Sequence, residues 1–320
     1  MRDGAMEIFE AKAWLKNRFG QGVLFNEPMS RHTSLGVGGP ADCLVTAESI
    51  ADIEDLLAHA QKWNQPVFVL GKGTNLLVSQ NGIRGIVIRL GKGFSHLEVL
   101  ESDGRRALVQ AGAGASLGAL CRFAARHGLG GMNFAAGIPG AMGGAVMMNA
   151  GTKTGCMADR IKRLTVVTRE SKTLVLDHTD VDWSYRKADF SRSLHAAQAH
   201  GFIVTHVVVE LFLQDPAMLE QELDSLLLQR KKSQPVMERS AGCFFKNPPQ
   251  GQPAGMLIER AGLKGTRLGG AEVSCIHANF LINAGGATAD DMLNLMNLVR
   301  ERVAAATGVD LEPEVRIIGA

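Results

Sequence analysis

Residues 130–151 read GGMNFAAGIPGAMGGAVMMNAG, and the rest of the chain is organised around this glycine segment. It holds seven glycines, one proline and no charged residue. Glycine and proline interrupt it too often for a long helix, and it is too apolar for a solvated loop. Because glycine lets the backbone turn through positive φ and approach a ligand without a Cβ, the segment predicts the wall of a site for a flat or phosphorylated ligand. A tightly packed, glycine-rich corner of the core is the alternative.

Length, composition and charge describe an ordinary globular enzyme. The chain has 320 residues, enough for two or three domains, with 46% hydrophobic and 21% charged residues. Its net charge of +2 predicts no nucleic-acid partner. Residues 1–20 are charged and amphipathic, unlike a signal peptide, and the glycine segment does not suit a membrane span. The five cysteines show no CxxC pair and no metal spacing, so we expect reduced thiols, a cytoplasmic protein and no metal site.

Apolar periodicity and helix-end signals predict helices and strands alternating at both ends of the chain, with a more β-rich middle. Helices are predicted after Ser49, whose partner Asp52 completes a capping box, and after Ser116. A further helix begins at Pro216, and its leucines at 219, 223, 226 and 227 are predicted to face inward. Another helix covers 289–307, with Thr288 and Asp291 at its start and Gly308 just past its end. These elements predict an α+β protein built from several subdomains.

A second glycine-rich turn, GKGTN at 71–75, follows the apolar strand PVFVL. Successive backbone N–H groups in such a turn can bind phosphate oxygens, and Thr74 and Asn75 add side-chain donors. The turn is neither a Rossmann fingerprint nor a Walker A loop, and alone it is more often structural. Together with the glycine segment it favours a dinucleotide whose pyrophosphate is bound by backbone N–H groups.

Several polar residues beside turns and strand ends are candidates for acid–base chemistry. They include Arg186, Cys243 and Glu314. Each also has an ordinary interpretation: a surface or ion-paired arginine, a small buried hydrophobe, or a polar residue on an edge strand. The residues by themselves therefore reach a nucleotide-binding α+β protein and no further.

Eight stretches resemble the UDP-N-acetylenolpyruvoylglucosamine reductase (MurB) family of flavoenzymes, in the family's order, from about residue 30 to the end of the chain. One such motif would be weak evidence, whereas eight in order are specific. The stretches are HTSLGVGGPAD (32–42), LGKGTNLLVS (70–79), AAGIPGAMGGAVMMNAG (135–151), WSYRKADF (183–190), SAGCFFKNP (240–248), LIERAGLKG (257–265), GGAEVSCIHANFLIN (269–283) and LEPEVRIIG (311–319).

The resemblance implies an FAD-binding domain of vanillyl-alcohol-oxidase type, made of two α+β subdomains and followed by a smaller α+β substrate domain. We expect the subdomains over 1–90 and 91–215, and the substrate domain over 216–320. The residues that match the family's FAD-binding segments are Thr33, Gly36, Gly71, Lys72, Gly73, Thr74, Asn75, Leu76, Leu77, Gly137, Ile138, Pro139, Gly140, Ala141, Gly143, Gly144, Ala145, Asn149 and Gly151.

The resemblance also implies an oxidoreductase that uses NADPH and bound FAD to reduce the enolpyruvyl group of UDP-N-acetylglucosamine enolpyruvate. The product, UDP-N-acetylmuramate, is a precursor of peptidoglycan. Arg186 matches the residue that binds the substrate carboxylate, Glu314 the one that orients and polarises it, and Cys243 the proton donor. The residues matched to substrate binding are Tyr185, Lys231, Asn247 and His277.

The chain departs from the family in two places. Some members carry an extra loop with a tyrosine that closes over the substrate, whereas here the route from Phe190 to Pro235 is short and no tyrosine follows Tyr185. The chain thus resembles the branch without this lid. The usual SAGS motif is SAGC here, and a thiol, with an ordinary pKa of about 8.5, is a far better acid than a serine hydroxyl.

Two other functions fit parts of the pattern. An FAD-linked oxidase of a small alcohol or sugar shares the flavin fold, but it lacks the combination of SAGCFFKNP with LEPEVR. A non-catalytic flavin-binding module would not need Arg186, Cys243 and Glu314 together. We expect a monomer that binds a UDP-sugar.

Overall fold

The computed structural model describes residues 2–194 and 201–319. Its helices are α1 (Arg2–Phe19), α2 (Ile50–Lys62), α3 (Leu117–Arg126), α4 (Met142–Met147), α5 (Pro216–Ser233), α6 (Ala254–Arg260) and α7 (Ala289–Thr307). Its strands are β1 (Val23–Pro28), β2 (Pro40–Ala47), β3 (Val67–Leu70), β4 (Leu76–Val78), β5 (Ile83–Leu90), β6 (Leu97–Ser102), β7 (Arg106–Gly112), β8 (Leu129–Gly130), β9 (Gly151–Thr152), β10 (Gly155–Cys156), β11 (Ile161–Thr168), β12 (Thr173–Asp177), β13 (Asp182–Ser184), β14 (Lys187–Asp189), β15 (Phe202–Leu213), β16 (Arg239–Cys243), β17 (Arg267–Leu268), β18 (Ala271–Val273), β19 (Phe280–Asn283) and β20 (Arg316–Ile318).

The chain divides into two compact units, each assembled from separate stretches of sequence. Unit 1 comprises Met1–Phe25, Cys43–Gly71 and Gly85–Leu227, and unit 2 comprises Asn26–Asp42, Lys72–Arg84 and Leu228–Ala320. The expected three-way division at residues 90 and 215 stays a prediction.

Unit 1 is built around a six-stranded antiparallel sheet. The strand order is β12-β11-β15-β7-β6, with β8 also paired to β15. Strand β15 is central because it pairs along most of its length with β11 on one side and with β7 on the other. Examples of paired residues are Val166↔Val204 and Val209↔Val109. A second sheet has the order β1-β2-β5-β3, in which β3 and β5 are parallel. Buried residues alternate along β7, whereas β15, β2 and β5 each contain a run of at least three consecutive buried residues, so both faces of these strands are covered.

Unit 2 packs α6 and α7 with a four-stranded antiparallel sheet ordered β16-β19-β18-β17. Its core includes the fully buried Phe244, Leu281, Leu295 and Val299. Strand β4 pairs in parallel with β20, joining stretches more than 200 residues apart in the chain.

The helix-end signals act as predicted. Ser49 and Asp52 form a capping box on α2, and Thr288 and Asp291 form one on α7. Ser116 caps α3 by accepting from the N–H of Ala119 at 3.0 Å. These side chains satisfy N–H groups that a helix start leaves without partners.

The apolar spacing of α5 predicts that its leucines face the core through Leu227, and this is wrong for the last of them. Leu219 and Leu223 are buried, but Leu226 is only partly buried and Leu227 is 36% exposed. The helix continues to Ser233 with a largely exposed surface, because only its first two turns pack against the core. No helix in the described ranges has the length and apolar character needed to cross a membrane.

Candidate active site

In unit 1, the glycine segment is held by backbone hydrogen bonds to the chain between β7 and α3. The N–H of Leu117 donates to the carbonyl of Gly140 at 3.1 Å. The N–H groups of Met142 and Gly143 donate to the carbonyls of Ala115 and Ala113 at 2.9 and 2.8 Å. The path includes Gly140 at φ 146°, where an L side chain would be strained. The segment is therefore an ordered part of the unit.

Gly143 and Gly144 are glycines for different reasons. A Cβ at Gly143 would approach the Cβ of Ala113 to 3.2 Å, so packing within the chain favours glycine there. A Cβ at Gly144 would meet nothing within 4 Å. The surface at Gly144 is open, as the backbone wall of a ligand site requires.

In unit 2, the turn 72–77 packs closely against the segment 32–34. Gly73 has φ 62°, and a Cβ there would collide with the carbonyl oxygen of His32. The N–H of Ser34 donates to the carbonyl of Gly73 at 3.0 Å. The side chain of Asn75 donates to the carbonyl of Glu314 at 3.1 Å. This predicted phosphate donor therefore also orients a predicted catalytic residue.

A cavity of about 550 Å³ in unit 2 contains two of the predicted FAD residues, Thr33 and Gly36. The Oγ1 of Thr33 donates to the carbonyl of Val37 at 2.7 Å, which holds the loop. The side chain of Arg239 lies across Gly36, where a Cβ would come within 3.0 Å of its Nη1. The remaining lining residues are Ser30, Arg31 and Ser34. Two guanidinium groups with hydroxyl groups nearby suit an anionic, phosphate-bearing ligand.

Sequence reasoning missed Arg239. Its only signal is position, since it lies immediately before the SAGC motif at 240–243. An arginine at the start of a short strand has no distinctive local pattern.

The structure brings Cys243 and Glu314 to neighbouring backbone positions in unit 2. Phe244, which follows Cys243, accepts at its carbonyl from the N–H of Glu314 at 2.8 Å. Cys243 pairs with Phe280 after an irregularity in the β16–β19 register, and Gly242 before it has φ 80°. A bulge of this kind re-aims the side chain that follows it.

Asn279 is a second residue that sequence reasoning missed. It is 3% exposed, and its amide both accepts from the N–H of Phe245 at 3.0 Å and donates to the carbonyl of Phe245 at 2.8 Å. Its own carbonyl accepts from Phe244 at 2.7 Å. A buried amide with all these bonds satisfied makes the backbone after Cys243 rigid. The available signal was a polar residue inside the apolar HANFLIN stretch.

Arg186 lies in unit 1, in the two-residue turn between β13 and β14. Its backbone has φ 58°, which is unusual for a residue other than glycine. Its Nη1 donates to the carbonyl of Gly151 at 2.9 Å, and its guanidinium lies 5.2 Å from the ring centroid of Tyr185. Tyr185 is 57% exposed. Strain at a polar residue of this kind is a reason to suspect function.

The other predicted substrate residues lie in unit 2. Lys231 is exposed on α5, beside the equally exposed Lys232, so nothing distinguishes the two. The Oδ1 of Asn247 accepts from the N–H of Ala254 at 3.0 Å, which ties the loop to the start of α6. The Nδ1 of His277 accepts from the N–H of Asn279 at 3.2 Å. The described residues contain no group of three or more metal-ligating side chains.

Burial lowers the pKa of His277 from its ordinary 6.5, with a smaller contribution from Lys264 in the same direction. The ring is thus neutral near pH 7. Because Nδ1 is an acceptor, the proton of the neutral ring lies on Nε2. His277 therefore offers a ligand a single N–H donor as long as the ring stays neutral.

This lowered pKa predicts a pH dependence of stability. Below pH 6.5 the unfolded chain takes up a proton that folded His277 resists, so the free energy of unfolding falls as the pH falls towards the folded pKa. One group contributes a slope of at most about 1.4 kcal/mol per pH unit. We expect His277→Gln to reduce this slope in chemical denaturation between pH 7 and 5.

Exposed His127 provides the control. His206, whose pKa is also lowered by burial and by His96, keeps its contribution in both variants. An unchanged slope in His277→Gln, or an equal change in His127→Gln, would contradict the prediction.

Two family models and several relatives match the chain. Residues 41–177 match the FAD binding domain, and residues 234–318 match the C-terminal domain of UDP-N-acetylenolpyruvoylglucosamine reductase. Reductases of that name from Desulfosudis oleivorans and Heliobacterium modesticaldum are 46% and 44% identical, over 96% and 92% of this chain and 98% and 90% of the relatives. The crystal structure of the Thermus caldophilus enzyme has a TM-score of 0.76 at 36% identity, covering 92% of this chain and 97% of that one.

The matched FAD binding domain and the reductases among the relatives show that the chain is an FAD-dependent oxidoreductase of α+β fold. The chain belongs to the UDP-N-acetylenolpyruvoylglucosamine reductase (MurB) family. The predicted fold class and the FAD cofactor are thereby confirmed. The predicted absence of a lid remains a prediction, and residues 195–200 of that route lie outside the described residues.

Proposed function

We propose that the chain uses NADPH to reduce the enolpyruvyl group of UDP-N-acetylglucosamine enolpyruvate, forming UDP-N-acetylmuramate for peptidoglycan synthesis. The observation that carries the proposal is the junction in unit 2, where the backbone next to Cys243 is hydrogen bonded to Glu314. A proton donor and a carboxylate-orienting group are both required by this reaction.

Each unit, taken by itself, has features that fit part of FAD. Unit 1 offers the open surface at Gly144, and unit 2 offers the guanidinium of Arg239 in its cavity. We propose that the predicted FAD-binding residues bind the cofactor together with Arg239, and that Asn149 does so through its backbone alone, because its side chain is hydrogen bonded to Ser184 and Ala158. When bound and reduced by NADPH, the flavin would supply a hydride to the terminal carbon of the enol ether.

The side chains of this chain do the rest of the work. Arg186 binds the substrate carboxylate with its planar guanidinium and stabilises the charge that builds on it. Glu314 orients and polarises that carboxylate. Cys243 then gives its proton to the α-carbon. The hydride and this proton together saturate the double bond.

The diphosphate of the substrate is assigned to Lys231, Asn247 and His277, with Tyr185 as a further contact. Lys231 supplies the positive charge, whereas Asn247 and His277 supply neutral donors. Binding of an anion beside His277 favours the protonated ring, so this residue can become a cation when substrate is bound.

We propose further that the enzyme works in the cytoplasm as a monomer and has no nucleic-acid partner. The first of these is supported by the cysteine pattern of the sequence, which has no CxxC pair and no metal spacing.

Stopped-flow flavin spectroscopy tests the proposed function. We expect a yellow protein with about one FAD per chain, bleached by NADPH and re-oxidised rapidly only by the enolpyruvyl nucleotide. NADPH consumption without a need for the UDP-sugar would indicate an oxidase of a small alcohol or sugar. A flavin spectrum with no turnover would indicate a non-catalytic module, and a folded, colourless protein that cannot be reconstituted would exclude the proposal.

A further inference from the structure

Asn149 is a buried polar residue in an unusual backbone conformation. It is 7% exposed and has φ 39°, two residues after the end of α4. Residues other than glycine rarely adopt positive φ, and asparagine is among the few that do so at modest cost. The resemblance predicts that this residue binds FAD, but its side chain makes its bonds within unit 1.

The amide of Asn149 bridges two backbone segments. Its Nδ2 donates to the carbonyl of Ser184 at 3.0 Å, and its Oδ1 accepts from the N–H of Ala158 at 3.0 Å. Ser184 is the last residue of β13 and immediately precedes the turn that carries Arg186. The bridge thus fixes the base of that turn relative to the glycine segment.

A second bond holds the same turn from the other side. The Nη1 of Arg186 donates to the carbonyl of Gly151, two residues after Asn149. Gly151 is itself held by pairing with Cys156, whose Cβ would lie 2.6 Å from any Cβ added at position 151. Residues 149–151 therefore bind both the backbone before Arg186 and the guanidinium itself.

We infer that Asn149 is a positioning residue that orients Arg186, an inference that rests on the proposed function because it uses the role of Arg186 there. Asparagine combines tolerance of positive φ with an amide that can donate and accept at the same time. Aspartate keeps the acceptor for Ala158 but places a negative oxygen against the carbonyl of Ser184. Glycine keeps the backbone conformation and removes both bonds.

Asn149→Gly is therefore expected to slow flavin re-oxidation by the enolpyruvyl nucleotide about 10- to 100-fold, since a misplacement of about 1 Å can cost this much. Flavin reduction by NADPH and FAD content are expected to stay within about twofold. Asn149→Asp is expected to lose at least as much, because the repulsion adds to the lost donor.

A double-mutant cycle with Arg186→Ala separates positioning from general damage. In the Arg186→Ala background, adding Asn149→Gly is expected to change re-oxidation by less than about threefold, because no guanidinium remains to be oriented. The matched control is Asn64→Gly, another asparagine of unit 1 with positive φ (48°), which should leave both half-reactions unchanged.

Equal slowing by Asn149→Gly in both backgrounds, or loss of FAD with unchanged re-oxidation of the remaining holoenzyme, would overturn the inference. An Arg186→Ala variant that re-oxidises normally would instead overturn the proposed role of Arg186, and the positioning role with it. If Arg186→Ala re-oxidises its flavin slowly while Asn149→Gly does so at the normal rate, the inference is refuted and the proposed function is not.

Discussion

Replacing Cys243 with alanine is expected to slow re-oxidation of the reduced flavin by the enolpyruvyl nucleotide about 10²- to 10⁴-fold, the usual contribution of general acid catalysis. Cys243 follows the bulge at Gly242, and the backbone after it is fixed by the buried amide of Asn279. Because this backbone is fixed, the Cys243 thiol is held in a defined orientation for donating its proton. Bleaching of the flavin by NADPH, which needs no proton from this group, is expected to remain unchanged. Stopped-flow absorbance of the two half-reactions measures both quantities.

Two further variants sharpen this test. Cys243→Ser keeps a hydroxyl at the same position and is expected to retain substantial activity, whereas inactivity equal to that of alanine would show that the thiol acts in another way. Cys275→Ala, at an exposed cysteine of the same unit, is the control and should leave both half-reactions unchanged. Equal losses in the two half-reactions of Cys243→Ala would exclude the role of proton donor.

The features that could be predicted best from the sequence are those that depend on residues close together in the chain. The capping boxes at Ser49 and Thr288 lie within three residues of their partners, and each forms in the structure. Gly308 ends α7 with φ 73°, the conformation for which glycine is favoured after a helix. The prediction for Leu227 failed because periodicity gives the face of a helix but does not tell how far along the helix its neighbours extend.

The candidate site depends on pairings that no local pattern contains. Asn75 and Glu314 meet because β4 pairs with β20, across a separation of 239 residues. Gly73 is required by the carbonyl of His32, which belongs to another stretch of the chain. Loop-closure distances of this size leave no periodic signal, so the roles of the catalytic residues followed from family motifs alone. Arg239, one of the two arginines that line the cavity, lies outside those motifs and was found only in the folded chain.

The chemistry assigned to the site needs charge to be stabilised at one place and a proton delivered at another. Cys243 and Glu314 share one backbone junction in unit 2, while Arg186 is held by residues 149–151 in unit 1. Each unit therefore orients its own reactive groups through short hydrogen bonds to backbone. Substituting a residue that makes one of these orienting hydrogen bonds should change the rate of one half-reaction without unfolding the unit.

Arg186→Gly is expected to separate activity from stability. Glycine relieves the left-handed backbone at position 186, a strain of about 1–3 kcal/mol, while the lost hydrogen bond to Gly151 costs about 1.5–3 kcal/mol. Because these effects offset each other, the free energy of unfolding should change by no more than about 2 kcal/mol. Flavin re-oxidation should nevertheless slow about 10²- to 10³-fold, since the charge on the substrate carboxylate loses its stabilising cation.

Denaturant unfolding and stopped-flow re-oxidation measure the two effects in one preparation. Arg186→Lys keeps the positive charge but not the planar pair of donors, so we expect a rate between those of the glycine variant and the unmodified enzyme. Ser171→Gly is the matched control, because Ser171 is another residue of unit 1 with positive φ (56°). Its two half-reactions should be unchanged, which shows that relief of backbone strain alone does not slow the enzyme. If Arg186→Gly re-oxidised its flavin at the normal rate, the carboxylate-binding role would have to be given to another residue.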